Sequence, residues 1–434
     1  MRVCLVEDAQ VGHLEPLALA RPAFELLCGT DSLQHKQLRY FDVASAAVLL
    51  RSYLAPLYRQ THPNAIVNDV DWLKQGPVLL INARWLPSAM AGRSFLDVET
   101  LLKQDPFVAM VGREVAYAVL HPQHLADAEE DSLDLCLHLA KETLPSISVE
   151  GTMIEYLWQL VDHNAEQITE DFELFANRPN RTIHPHPIHV NGPSDRLWID
   201  PSAKLDPLVV ADTTNGPVII DRDAVVHAFS RLEGPCYIGR GTHILGAKVR
   251  GGTTFGPNCR MGGEIEVSIV QGNSNKYHDG FLGHSYLGEW VNLGAGTHTS
   301  DLRCDYGEVT LTINGARVNT GLRKVGAFIG DHTKTGLGTL LNTGTNVGVF
   351  CNLLPSGELL PKYVPSFCSV LHGRVTDTSE LSPLFGTATV VMKRRGFAFS
   401  MLHQSLFRHL LEQTNSVRRQ ALREADLRRL RASA

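Results

Sequence analysis

The chain has 434 residues, with 46 acidic and 40 basic side chains and a net charge of -6. At roughly 150 residues per domain it has room for two or three cores, which excludes a disulfide-stapled miniprotein. Its 44% apolar and 20% charged residues, with 36 glycines and 22 prolines, fit neither a disordered nor a collagen-like chain.

No apolar run approaches the roughly 18 residues of a membrane span, and Met1 to Asp8 is too short for a signal-peptide core. A cytoplasmic protein without membrane insertion is expected. The eight cysteines are scattered without a CxxC pair, so buried free thiols are expected rather than a zinc knuckle or a disulfide framework.

In chain order, Val3 to Val6, Val78 to Asn82 and the hairpin-like Phe107 to Leu120 read as strands, with helical stretches between them. From about Thr152 to Phe175, Ile154, Leu157, Trp158, Val161, Ile168, Phe172 and Phe175 recur at helical steps and predict one amphipathic helix. An α/β layer domain is expected over 1–182. A linker, 183–198, follows. Its His184, His186 and His189 alternate with prolines and have no carboxylate or cysteine beside them, which favours extended chain over a metal site.

Glycine use then changes: six lie in Met1 to Asn191, 28 in Gly192 to Arg374 and two in the rest. Apolar residues recur every six positions at Val226, Leu232, Ile238 and Ile244. After a slip they continue at Val249, Phe255, Met261 and Val267, and later at Leu287, Leu293, Ile329, Leu341, Val347 and Leu353, with Thr335 as an exception. A hexapeptide repeat puts one apolar side chain inward on each flat face of a triangular coil, with small residues at the corners. The spacing predicts a parallel β-helix over 199–375, of roughly eight turns. Asp301 to Arg323 interrupts it, and Val309 to Gly315 there reads as a strand and turn projecting from the coil.

The last segment, 390–434, reads as a basic helical tail. Phe399, Leu402, Leu406, Leu410, Val417 and Ala421 form its apolar stripe, and Lys393 to Ala434 holds ten cations against three acids. The acidic balance elsewhere and the lack of aromatic interleaving argue against nucleic acid.

The run Gly283-His284-Ser285-Tyr286-Leu287-Gly288, continuing through Val291-Asn292-Leu293-Gly294-Ala295-Gly296-Thr297, resembles the acetyltransferase core of GlmU-type enzymes, and Gly326 to Gly336 looks like a coil of their archaeal and alternative bacterial members. The resemblance implies a sugar-1-phosphate nucleotidyltransferase domain, Rossmann-like, fused to a left-handed parallel β-helix that acylates an amino sugar phosphate from acetyl-CoA. It also implies a homotrimer with the acyl donor held between subunits.

Carried over residue by residue, it makes His284 the candidate base, Lys276, Tyr286 and Asn292 the amino-sugar-phosphate contacts, and Gly294, Ala295, Gly296 and Gly330 the acyl-CoA site. In that reading, backbone N–H groups of these glycines hold pantetheine or the oxyanion. His284 stands two residues before Tyr286 where the family has three, and Asp301 occupies the place of a family asparagine. A corner histidine bonded to backbone is the structural alternative for His284.

At the N-terminus, Gly12-His13-Leu14-Glu15-Pro16-Leu17 to Ala23 sits where the family has a glycine-rich phosphate loop, with its second glycine, arginine and lysine missing. Arg21, Lys36 and Arg84 are the candidate cations for the nucleoside triphosphate and sugar 1-phosphate, or else salt-bridged structural residues. Leu80 to Arg84 offers no carboxylate, so Mg2+ is possible but no ligand can be named. The competing reading is a sugar-nucleotide binding or trimeric scaffold protein with a decayed transferase site.

Overall fold

The computed structural model describes residues 2–88, 97–129, 133–176, 188–354, 357, 359–378 and 380–432. The chain forms two compact units: one is 1–14, 21–26 and 31–156, and the other is 15–20, 27–30 and 157–434.

The first unit is built on a six-stranded sheet in the order Ala47–Leu49, Val3–Val6, Val78–Asn82, Glu114–Leu120, Phe107–Val111, Ser146–Ser148. Val3–Val6 runs parallel to both neighbours, and Glu114–Leu120 is antiparallel to both of its own. The two strands and the hairpin expected from apolar runs are therefore adjacent. Cys4, Val6, Leu80, Val108 and Ala118 form the core beneath them, and burial on both faces explains why these strands read as continuous apolar runs.

The expected helix from Thr152 is shorter at its start. Thr152–Met153 is a short strand paired with Trp85–Leu86, and the helix is Leu157–Ala176. That helix packs with the second unit, where Asn164 Nδ2 donates to Gly252 O at 2.8 Å, although the expected domain boundary lay after it.

The second unit is a parallel β-solenoid with three faces. Its longest face stacks nine strands, one per turn, from Leu197–Ile199 to Tyr363–Val364. Ile199, Ile220, Ile238, Phe255, Val270, Leu287, Ile329, Val347 and Val364 form the inward column of that face. The coil begins earlier than expected, at His189–Asn191, while His184 and His186 lie outside the described residues.

Phe255 pairs with Val270, only fifteen residues on, so the expected inward position at Val267 slips. Ile265 takes the inward place and Val267 turns a corner at φ 42°. The interruption contains the hairpin Thr310–Ile313 and Ala316–Asn319. Its turn, Asn314-Gly315, has φ of 48° and 80°, the left-handed pair that a two-residue hairpin loop needs. The hairpin lies back on the coil rather than projecting, with Asn346 Nδ2 donating to Thr312 O at 2.8 Å.

The tail forms three helices, Leu381–Lys393, Met401–Gln413 and Asn415–Ala432. Phe407 and Phe385 pack on Phe350 of the coil and Phe399 packs on Phe385, so much of the predicted stripe is intramolecular core. Arg418, one of the tail's cations, is buried against Asp377 at 3.0 Å. Six of the described cysteines are buried free thiols, and Cys304 is exposed. Among the described residues no helix is long and apolar enough to cross a membrane.

Candidate functional site

His284 closes the corner between strands Phe281–Gly283 and Tyr286–Glu289 with φ 45°. Its backbone is fixed by the coil: its N–H donates to Glu266 O at 3.1 Å, and its carbonyl accepts from Gly326 N at 2.9 Å. The imidazole itself is free of backbone contact at Nδ1, which lies 2.7 Å from Asp301 Oδ2. The two side chains are 13% and 12% exposed.

Asp301 reaches this place because Gly283 has no side chain. A Cβ there would stand 2.6 Å from Asp301 Oδ2. Burial opposes the Asp301 charge, but the hydrogen bond from His284 and the charges of His284 and Lys324 outweigh it and hold the carboxyl below its ordinary range. The pairing leaves Nε2 of His284 as the nitrogen available to a ligand. A histidine fixed through Nδ1 by a carboxylate is a competent general base. Sequence reasoning noted Asp301 only as a departure from the family; its 17-residue offset from His284, close to one coil turn, was the overlooked signal.

The other carried-over contacts are placed differently. Tyr286 is fully buried, and its hydroxyl accepts from Leu27 N at 2.7 Å and lies 2.6 Å from Gln271 Oε1. Its hydroxyl is spent on internal hydrogen bonds and cannot meet a sugar phosphate there. Lys276 pairs in register with the inward Met261 and is 1% exposed. Its ammonium donates to Gly262 O at 2.8 Å and His278 O at 3.1 Å, and burial pushes its pKa down to about 8. It too is internal to the coil. Asn292, half-buried, accepts from Asn275 Nδ2 at 3.3 Å and lines an open cavity.

The expectation that glycine N–H groups hold pantetheine or an oxyanion is corrected. Gly294 N donates to Thr335 Oγ1 at 2.9 Å, Gly296 N to Asp279 O at 3.0 Å and Gly330 N to Val347 O at 2.8 Å, because stacked coils consume their main-chain donors. Ala295 and Gly296 instead line a cleft of about 600 Å³ with His227, Tyr277 and His278, and His284 is not part of it.

In the first unit, Arg84 is buried. Nε and Nη2 donate to Asp8 at 2.8 and 2.7 Å, Nη1 donates to Ile154 O at 2.9 Å, and Glu114 is a second ion-pair partner. Glu7 is likewise held by Arg51, at 3.0 and 2.9 Å. Arg84 is therefore a structural ion-pair residue, the alternative weighed for it. Arg21 and Lys36 are also buried, and the Arg21 carbonyl accepts from Arg51 Nη2 at 2.9 Å.

The carboxylates after the first strand, Glu7 and Asp8, were missed because their partners lie far away in sequence. Being paired with arginines, they do not fit a Mg2+ site. No group of three His, Cys, Asp or Glu side chains placed to hold a metal occurs among the described residues.

Comparison with known proteins adds the family context. Residues 3–179 match the model of a sugar nucleotidyl transferase family. A bifunctional sugar-1-phosphate nucleotidylyltransferase/acetyltransferase of Sulfurisphaera tokodaii is 37% identical over 98 residues, 22% of this chain and 24% of its own. The bifunctional GlmU protein of Methanococcus vannielii is 42% identical over 85 residues, 20% of each chain, and that of Azorhizobium caulinodans 34% over 114 residues, 25% and 24%.

The matched stretches span about a fifth to a quarter of these relatives. A solved UDP-N-acetylglucosamine acyltransferase of Francisella novicida aligns with 53% of this chain and 86% of its own, at 13% identity and a TM-score of 0.28, too low to carry an argument. The order in this chain is thus a region that matches the sugar nucleotidyl transferase model, followed by a parallel β-solenoid.

Proposed function

We propose that the chain is a GlmU-like transferase of sugar-nucleotide synthesis. On its solenoid, His284 acts as base in acyl transfer from acyl-CoA to an amino sugar phosphate. The observation that carries this reading is the 2.7 Å contact between His284 Nδ1 and Asp301 Oδ2. Asp301 fixes the tautomer with the proton on Nδ1 and stabilises the imidazolium that forms. Nε2 takes a proton from the attacking nitrogen as its N–C bond to the thioester carbon forms; the C–S bond then breaks, and the proton passes to the departing thiolate. The Ala295–Gly296 cleft is a candidate place for the acyl donor. Because His284 does not line it within one chain, the reading expects a neighbouring copy in a homotrimer to bring the two together.

His284→Ala should lower acyl transfer by roughly 10² to 10⁴, with the melting temperature little changed. Unchanged turnover would remove His284 from the mechanism. For the N-terminal domain the reading is transfer of a nucleotidyl group to a sugar 1-phosphate. The Arg84–Asp8 and Arg51–Glu7 pairs favour a second reading for that domain, a sugar-nucleotide binding module without turnover, since Arg84, a candidate phosphate cation, and the carboxylates Glu7 and Asp8 are already matched internally. Calorimetric titration of the full chain with UTP and dTTP, with and without Mg2+, followed by a turnover assay, separates the two.

A further inference from the structure

One face of the solenoid carries an outward ladder unlike the rest of the coil. Arg260 pairs with Asn275, Asn275 with Asn292 and Asn292 with Lys334 on successive turns. At about 4.8 Å per rung, two cations stand at the ends of a ladder about 14 Å long with two amides between. Arg394 and Arg395, at the end of the helix Leu381–Lys393, close over it and leave a cavity of about 490 Å³.

Four cations and three asparagines (Asn273, Asn275, Asn292) line this cavity, with no carboxylate among the lining residues. Behind the wall, Glu289 accepts from the lining Asn273 Nδ2 at 3.0 Å, and Asp331 accepts from Glu289 N at 2.8 Å.

The cations are held rather than splayed into solvent. Lys334 Nζ donates to Trp290 O at 2.7 Å and His332 O at 3.0 Å, which leaves its third N–H for the cavity. Arg395 Nη2 donates to Asn275 Oδ1 at 2.7 Å, and Arg260 Nη1 to Gly241 O at 3.0 Å. Like charges on neighbouring positions repel, and folding tolerates them here at a cost. The same crowding and burial act on the pKa values of these groups. Burial and the neighbouring Arg395 lower the pKa of Arg260, burial lowers that of Lys334 to about 8, and burial with Arg260, His227 and Arg395 holds His243, the next rung, at about 4.

We infer that this cavity is a binding site for a phosphate- or pyrophosphate-bearing small molecule, held by Arg260, Lys334, Arg394 and Arg395 with the asparagine amides as neutral donors. An anion relieves the repulsion and meets charge-assisted donors along an elongated ladder, which suits two phosphoryl groups or one phosphoryl with a polar body. His284 does not line the cavity, so the inference stands independently of acyl transfer.

The test is calorimetric titration of the full chain with inorganic pyrophosphate, glucosamine 1-phosphate and adenosine 3′,5′-bisphosphate. The last two distinguish a sugar phosphate from the phosphates of a nucleotide-like ligand, and binding of either supports the site. Arg394 is exposed and Arg394→Ala should fold, so this variant and Arg260→Gln should each weaken binding about tenfold or more. Arg250→Gln, on another face beside Glu264, should leave binding unchanged. No saturable binding at millimolar concentration, equal binding by the Arg394 and Arg260 variants, or equal weakening by Arg250→Gln would each overturn the inference.

Discussion

Replacing Lys276 by Met tests the coil architecture and one inherited functional role together. Lys276 occupies an inward position between Met261 and Leu293, where its ammonium is bonded only to two carbonyls. Burial lowers its pKa from 10.5 to about 8, with Asp279 opposing the fall. A shift of that size corresponds to about 3 kcal/mol at ~1.4 kcal/mol per unit.

Below pH 8 both folded and unfolded chains carry the charge and the folded state bears the full penalty. Between about 8 and 10.5 the folded state gives up its proton first, so stability climbs with pH, and above that range the penalty is gone. Lys276→Met keeps the length and volume, removes the charge and leaves two carbonyls without a donor, so the net gain at pH 7 is smaller, about 1–2 kcal/mol.

Guanidinium unfolding at pH 7 should therefore show a higher midpoint for the variant, with the gap closing toward pH 10.5. A midpoint lower at every pH, or a gap independent of pH, would refute the buried-charge argument. Acyl transfer should survive the change. Its selective loss would return Lys276 to the substrate.

Arg84→Ala should destabilise the first unit by about 3–5 kcal/mol, because Asp8 and Glu114 lose their buried partner; a large fall in melting temperature checks this, and an unchanged one speaks against a structural role. Asp301→Asn should slow acyl transfer and shift its pH profile, because the imidazolium loses its carboxylate. The stability the carboxylate lends, present above an ordinary aspartate pKa of about 3.9, should fade in the wild type as pH falls through the depressed folded value, so that the variants converge in acid. Sedimentation of the full chain and of one ending near Arg395 should both give three subunits if the coil faces drive assembly, the shorter being less heat-stable because Phe399 and Phe407 are removed from the aromatic cluster on Phe350. A monodisperse monomer would count against the trimer.

The solenoid was readable because Val226, Ile238, Ile244 and their successors each take the one inward place of a short repeat, and a pattern that dense survives a slip. It failed locally where a turn shortened, at Val267, and where a polar residue took an inward place, at Lys276; a six-residue count of apolar positions registers neither. The site was less legible. Tyr286 matches the family motif in identity, but its hydroxyl is claimed by Leu27, 259 positions away, a contact without local trace. Arg84 and Asp8 meet across neighbouring parallel strands for the same reason. The His284–Asp301 pair was the recoverable part, since stacking at one coil turn brings such positions together.

The central claim is that this solenoid transfers an acyl group through His284. The most direct measurement is the mass of the products formed by purified protein from glucosamine 1-phosphate and acetyl-CoA, with sugar 1-phosphates and UTP or dTTP in parallel. An acetylated amino sugar phosphate, formed by the wild type and reduced at least a hundredfold in His284→Ala, is the expected result. A stable, assembled protein that yields no acylated product from any amino sugar phosphate would contradict it.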